Sequence, residues 1–303
     1  MEQETRMTTT SLLRERFSSQ IRRTKAFWDI YRRNLMGMLG LVLVLAFIAL
    51  ALAAPWLAPY DPRGLVGRSF LPPSAKHLLG TDQVGRDIYS ELIWGTRISI
   101  MVGLLASAFA VAIGTAVGLL SGYYRGPPDS ILMRITDLFI TLPNLPFMLI
   151  LAALIGRSVW NIIFVIAITG WTGTARMVRS QTLSIKERPY VEAARSVGAR
   201  DSHIVIRHIL PNVFPLVFAN AVIGIVDAIL AESGLSFLGL GDPTKPSWGM
   251  ILHHANEAGA LATGRWWFII PPGICIMLLA IGFAFSSYSL DHILNPRLRE
   301  RRW

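Results

Sequence analysis

Cysteine is almost absent from this 303-residue chain, in which Cys275 is the only one. A single thiol excludes an internal disulfide, so cysteine use says nothing about the redox compartment. Lysine is nearly as rare, with four residues: Lys25, Lys76, Lys186 and Lys245. None of them follows a glycine, which excludes a phosphate-binding P-loop, because that motif needs a Gly-Lys pair. The chain therefore cannot be the ATPase of an energy-driven system.

Charge of either sign is also scarce. Charged residues make up 16% of the chain, whereas a soluble domain carries about 25%. Six blocks contain no charged residue: Asn34–Tyr60, Ile98–Tyr124, Leu138–Gly156, Ser158–Ala175, Ile209–Val226 and Trp266–Leu290. Each is long enough to cross a bilayer core, which needs about 17 to 25 residues as a helix. Because helices satisfy their own backbone groups in lipid, we predict an all-α, polytopic membrane protein with six transmembrane helices.

The first block could be mistaken for a signal peptide, because Ala51 and Ala53 follow an apolar run. However, the basic leader before it extends to Arg33. The hydrophobic region of a cleaved signal is only about 7–15 residues long, and this run is longer. We therefore predict an uncleaved anchor, with the signal peptide as the alternative.

Positive charge is distributed unevenly along the chain. With the N-terminus in the cytoplasm, the inner segments carry 21 Lys and Arg residues and the outer segments carry 8. The positive-inside rule therefore predicts that both termini are cytoplasmic. The predicted parts are a basic cytoplasmic segment (1–33), the first helix (34–60), an extracytoplasmic loop (61–97), a five-helix core (98–290) and a basic cytoplasmic tail (291–303). The basic balance favours contact with the lipid bilayer and not with nucleic acid.

Two local patterns refine this plan. In the outer loop, Thr81 and Asp82 are candidate caps for a short helix that runs through Ile88 to Trp94. In the third span, two prolines lie within 142–146, and prolines there free backbone carbonyls. We therefore predict a kink in that span that faces the interior of the bundle.

The loop 176–212 is a charged island between two apolar spans. Pro189 suits the first position of a helix, and Gly198 suits a left-handed C-terminal stop. Asp201 or Ser202 can cap a second short helix. The pattern also fits an ordinary solvated loop, or a DNA-binding helix-turn-helix. Because the loop is attached to a membrane span at each end, it is poorly placed to bind in a groove of DNA.

Part of this loop resembles a known sequence motif. Its residues Glu192, Ala193 and Ala194, then Gly198, then Leu210 and Pro211 resemble the EAA loop of ABC-importer permeases. Four further stretches resemble the C-type permease of the oligopeptide, dipeptide and nickel importers: His77–Ile100, Met133–Pro143, Leu235–Gly241 and Pro246–Leu252. The similarity extends over nearly all of the chain after about residue 30.

The resemblance implies a type I, MetI-like permease core in a prokaryotic inner membrane. It implies that the EAA loop docks on a cytoplasmic ATPase, with Glu192, Ala193, Ala194, Gly198, Leu210 and Pro211 as the coupling residues. It also implies a homologous B-type permease as heterodimer partner, two ATPase subunits that bind ATP and Mg, and an extracytoplasmic solute-binding protein. This chain then has no catalytic residue and no cofactor. The implied cargo is an oligopeptide or dipeptide, with nickel complexes or oligosaccharides as alternatives.

Three acidic residues lie in or beside the spans, where a carboxylate is costly and usually faces a bundle or a cavity. For Asp227 and Glu232, a role in the translocation pathway and a role in helix packing are both open. For Asp137 we favour pairing within the protein, for example with Arg134 one helical turn away.

Other functions find less support. The pair His253 and His254 suggests metal, but adjacent histidines on a loop are more often solvated, and no ligand cluster completes a site. We therefore predict no metal site. Trp248, Trp266 and Trp267 are typical of interfacial anchors.

Two further classes of protein stay as alternatives. An ion-coupled secondary transporter usually has paired repeats and more carboxylates within its spans than this chain has. An intramembrane hydrolase with Ser236 as nucleophile needs a histidine base within reach, and no span interior contains one.

Overall fold

The computed structural model describes residues 28–294. Most of the predicted N-terminal segment (1–33) and of the predicted tail (291–303) lies outside the described residues. Within them we number the helices α1 Leu35–Leu57, α2 Ile88–Tyr124, α3 Pro127–Thr141, α4 Asn144–Ile155, α5 Val159–Gly170, α6 Thr172–Lys186, α7 Pro189–Ser196, α8 Asp201–Leu240, α9 Trp248–Glu257 and α10 Trp266–Leu294. The all-α prediction is confirmed for this part of the chain.

Four helices are individually long and apolar enough to cross a membrane: α1, α2, α8 and α10. Two more spans result if broken helices are counted as pairs. The pair α3 and α4 bends by 93°, and the pair α5 and α6 bends by 42°. The described residues thus provide four to six spans, which agrees with a polytopic membrane protein.

The break between α3 and α4 is sharper than the predicted kink. Helix α3 ends at Thr141, and α4 begins at Asn144. Pro143 lies between them with a ψ of 117°, outside the helical range. Because proline lacks the N–H that would continue the ladder and pushes its neighbour Leu142 out of the α region, the chain turns by almost a right angle.

Helix α2 begins at Ile88 because Asp87 caps it. The Asp87 carboxylate accepts a hydrogen bond from the Ser90 N–H at 2.8 Å, which satisfies a free donor of the first turn. Our prediction that Asp82 or the preceding Thr81 caps this helix was wrong. Asp82 instead accepts hydrogen bonds from backbone N–H groups within its own loop turn. The helix also continues to Tyr124 in place of ending near Trp94.

Helices α2 and α6 approach each other along a stripe of glycines. Gly114, Gly118 and Gly122 are spaced four residues apart, so they lie on one face of α2. A Cβ on Gly118 would lie 2.6 Å from the carbonyl oxygen of Ala175. Small residues at this spacing let helix backbones pack closely in a membrane, where apolar surface itself drives little association.

Trp248 joins α9 to the rest of the bundle. Its side chain is fully buried, and the indole N–H donates to the Leu92 carbonyl at 3.0 Å. The ring packs edge-on against Phe47, with 5.6 Å between centroids. Because Trp248 is buried inside the protein, our prediction that it is an interfacial anchor was wrong. Buried indoles usually find a hydrogen-bond partner for their N–H, as this one does. Trp266, in contrast, is exposed.

Candidate functional site

The EAA loop forms a short helix followed by a left-handed turn. Helix α7 has Pro189 at its first position, as predicted. Gly198 has a φ of +81°, which confirms the predicted left-handed stop. The second helix begins at Asp201 with Arg200 as its N-cap, and no side chain caps it. We predicted that this second helix is short, but it continues through a π-helical turn at Val205–Ile209 into a long helix that reaches Leu240. Near its end, Gly239 has a non-helical φ of +84°.

Most of the residues predicted for coupling face outward. Glu192, Ala193 and Gly198 are exposed, and Ala194 is partly exposed. Val197, beside them, is 85% exposed. This part of the loop therefore does not pack against the rest of the described chain.

A compact apolar cluster lies beneath this exposed surface and supports it. Val191 of α7 is fully buried together with Ile204 and Ile209 of α8 and Ile185 of α6. Leu210 packs against the same cluster. Pro211, the next residue in the chain, is exposed and lies at the start of the segment Leu210–Leu235 of α8. The cluster therefore joins α7 firmly to α6 and α8.

Two ion pairs connect α3 to α6. Arg179 binds both carboxylate oxygens of Asp129 at 2.6 Å. Arg176 contacts Asp137 at 2.5 Å. Our prediction that Asp137 pairs within the protein is confirmed, but its partner is Arg176 and not the predicted Arg134. Because α3 packs against α6, the guanidinium of the neighbouring helix reaches the carboxylate.

A cavity of about 550 Å³ lies between α2, α4, α5, α6 and α8. Its polar lining consists of Ser107, Asn144, Thr169, Thr172, Thr174, Asn220 and Asp227. Among the described residues that line it, Asp227 is the only charged one. Sequence reasoning found Asp227 but missed the hydroxyl and amide groups. They are spread over five helices, so no local pattern reveals that they share a cavity.

Glu232 does not line this cavity. Its side chain is 1% exposed. The hydroxyl of Ser236 donates to its carboxylate at 2.7 Å, and the hydroxyl of Ser99 on α2 approaches at 3.5 Å. Ser236 is therefore occupied as a partner of Glu232, which gives no support to a serine nucleophile.

The two adjacent histidines lie on helix α9 and not on the predicted solvated loop. His253 Nδ1 is 2.9 Å from the Phe237 carbonyl oxygen. Burial, and then the guanidinium of Arg86, lower the pKa of His254 and favour its neutral form. Within residues 28–294, no group of three or more His, Cys, Asp or Glu side chains could hold a metal ion.

Comparison with protein families gives two matches. The family described as "Binding-protein-dependent transport system inner membrane component" matches residues 114–300. The family described as "N-terminal TM domain of oligopeptide transport permease C" matches residues 23–73. Together they include the EAA loop, the first helix and the cavity-lining residues from Asn144 to Leu235.

Similar curated proteins extend over nearly the whole chain. The dipeptide transport system permease protein DppC of Bacillus subtilis is 36% identical, with 91% of this chain and 86% of that protein covered. The probable D,D-dipeptide transport system permease protein DdpC of Escherichia coli is 34% identical, with 95% and 96% covered. The glutathione transport system permease protein GsiD of Pectobacterium atrosepticum is 36% identical, with 91% of each covered.

The similarity in fold extends to solved structures. A chain of the MetNI methionine ABC transporter, solved in inward facing conformations, aligns with a TM-score of 0.50 at 18% identity, covering 68% of this chain and 95% of that one. This likeness concerns the fold alone, and it agrees with the predicted MetI-like core.

Proposed function

Because this chain belongs to the inner membrane components of binding-protein-dependent transport systems, we propose that it is the permease subunit of an ATP-driven importer of short peptides. One observation carries the peptide assignment. Permeases named for dipeptides, glutathione or peptides are 34–37% identical to this chain over 88–95% of its length. None of these relatives is named for nickel or for an oligosaccharide, so those alternatives are less favoured.

The proposed complex contains a B-type permease as heterodimer partner, two cytoplasmic ATPases that bind ATP and Mg, and an extracytoplasmic solute-binding protein. Both termini then lie in the cytoplasm. ATP hydrolysis belongs to the partners, and this chain performs no catalysis. The exposed residues of α7 and the turn at Gly198 form the docking surface for an ATPase. Leu210 and Pro211 support that surface, because Leu210 packs in the cluster beneath it.

The cavity beside Asp227 forms this chain's half of the translocation pathway. Its amide and hydroxyl groups offer exchangeable hydrogen bonds to peptide groups, and its carboxylate offers a partner for an ammonium group. We assign Glu232 to packing, because the serine hydroxyls around it occupy its oxygens and its exposed area is negligible.

Purification and transport of the complex test this function. The chain is expected to co-purify with an ATPase subunit, and the complex in proteoliposomes is expected to take up radiolabelled dialanine when ATP and binding protein are present. An ATPase subunit that cannot hydrolyse ATP should abolish this uptake. Uptake by the purified single chain in vesicles would contradict the proposal and indicate a secondary transporter.

Asp227→Asn tests the pathway. The substitution keeps the size of the side chain but removes the charge that meets a peptide ammonium. We expect the KM of dialanine uptake to rise about twofold to fivefold, the size of a partly solvated charge pair, with assembly unchanged. Asp61→Asn is the matched control. Asp61 is exposed and accepts from the Arg63 N–H at 2.9 Å, which an asparagine oxygen can also do. Equal kinetics in the two variants would remove Asp227 from the pathway.

A further inference from the structure

Four helices meet at one polar cluster next to the EAA loop. Tyr123 is in the last turn of α2 and is 3% exposed. Its hydroxyl donates to the Asp201 carboxylate, at the first residue of α8, over 2.6 Å. Lys186, the last residue of α6, donates from Nζ to the main-chain carbonyl of Tyr123. The ammonium also lies 5.0 Å from the centroid of the Tyr123 ring.

Charged groups from every neighbouring element face this cluster. The guanidinium of Arg195, on α7, faces the Tyr123 hydroxyl. At the rim, Arg125 pairs with Glu187 at 2.6 Å, with both side chains largely exposed. The cluster thus joins the C-terminal ends of α2 and α6 to α7 and to the start of α8.

The hydrogen bond from Tyr123 to Asp201 is stronger than the ion pair at the rim of the cluster. The pair Arg125 and Glu187 is solvated, and surface ion pairs of this kind contribute little. The hydrogen bond from Tyr123 to Asp201 is instead short, has a charged acceptor, and has a nearly buried donor, which makes it one of the strong kind. Within residues 28–294, this hydrogen bond joins the end of α2 to the start of α8, beside their apolar packing.

We propose that the hydrogen bond between Tyr123 and Asp201 is a positioning contact that transmits movement of the EAA loop to α2. Helices α2 and α8 both line the cavity, through Ser107 on α2 and through Asn220 and Asp227 on α8. When an ATPase displaces α7, the bond makes both cavity walls move together. Without it, α8 follows α7 directly and α2 follows less completely. The inference rests on the proposed function.

The test compares Tyr123→Phe with Tyr124→Phe in the complete transporter in proteoliposomes. Phenylalanine keeps the ring for Lys186 and removes only the hydroxyl. Tyr124 is half exposed, packs edge-on against Tyr123, and has no hydrogen bond from its hydroxyl in the described part of the chain. It is therefore a matched control. The ATP hydrolysis rate and the uptake of radiolabelled dialanine are measured on the same vesicles.

Tyr123→Phe is expected to raise the ATP hydrolysed per dialanine about tenfold to a hundredfold, because a hydrogen bond to a charged group has an effect of that order. The ATPase rate and the ATPase content should stay as in wild type. Tyr124→Phe should leave the ratio unchanged. A merely structural role would lower uptake and ATPase activity together, and that outcome would overturn the proposal.

The partner residue gives a second, independent arm. Asp201→Ala should raise the same ratio, and adding Tyr123→Phe should change it no further, because the bond is already lost. Asp201→Asn keeps an acceptor oxygen and should restore most of the coupling. Additive effects of the two single changes would overturn the proposal. If the wild-type transporter takes up no dialanine, the proposed function is contradicted. If the wild type takes up dialanine but Tyr123→Phe and Asp201→Ala have the same ratio of ATP to dialanine as the wild type, only this inference is contradicted.

Discussion

Gly198→Asp is expected to abolish transport while the protein remains inserted and folded. Aspartate is one of the few side chains that tolerate a positive φ, so the strain should be about 1–2 kcal/mol at most. A Cβ at Gly198 meets nothing within 4 Å inside this chain. Any large loss must therefore come from outside the chain, because a carboxylate now projects from a surface that we assign to an ATPase. The measurements are co-purification of the ATPase and dialanine uptake.

Gly264→Asp is the matched control for this prediction. Gly264 also has a positive φ, of +69°, and a Cβ there also meets nothing within 4 Å. It lies in the segment before α10, away from the EAA loop in the sequence. We expect Gly264→Asp to keep ATPase binding. Uptake at the wild-type level in Gly198→Asp would remove the docking role from this turn.

Gly118→Leu is expected to prevent stable packing of α2 against α6. Overpacking a core usually costs about 1–3 kcal/mol, because side chains can adjust. Here a backbone carbonyl, that of Ala175, lies 2.6 Å from the new Cβ, so the helices must separate. Separation would also disturb the neighbouring contacts of Gly114 and Gly122. We expect little folded protein after extraction into detergent, measured by size-exclusion chromatography.

Ala116→Leu separates this effect from a general effect on insertion. Ala116 lies on the same helix, two positions away, but on an exposed face. The same large side chain is added there without an opposing backbone. We expect nearly normal folded yield from this variant. Equal yields of Gly118→Leu and Ala116→Leu would show that the glycine stripe does not set the distance between the helices.

Much of the architecture could be predicted because it depends on local rules. Uncharged blocks mark helices that can cross a bilayer, and Pro143 marks a break. Pro189 and Gly198 mark the two ends of α7, because each suits a particular backbone conformation. The predictions that failed depended on competition between partners. Asp82 is as good a cap as Asp87 in isolation, and only the fold of the loop decides between them.

The candidate site divides in the same way. The EAA loop is contiguous, so its resemblance identified it directly. The spacing of Gly114, Gly118 and Gly122 could also have been noticed in the sequence, since it is a known packing pattern. The contact of Tyr123 with Asp201 could not, because it joins residues that are distant in the chain. The same holds for the cavity around Asp227, whose lining comes from five helices.

The length of α8 has a mechanical consequence. Its 40 residues correspond to about 60 Å at the rise of an α-helix, about twice the ~30 Å thickness of the hydrocarbon core. A helix of this length that crosses a bilayer extends beyond the hydrocarbon core, and tilting it about its midpoint moves its two ends in opposite directions. A tilt of about 10° around its midpoint shifts each tip by about 5 Å, given that length. A displacement at Asp201 that tilts the whole of α8 therefore also moves the other end of the helix, near Leu240.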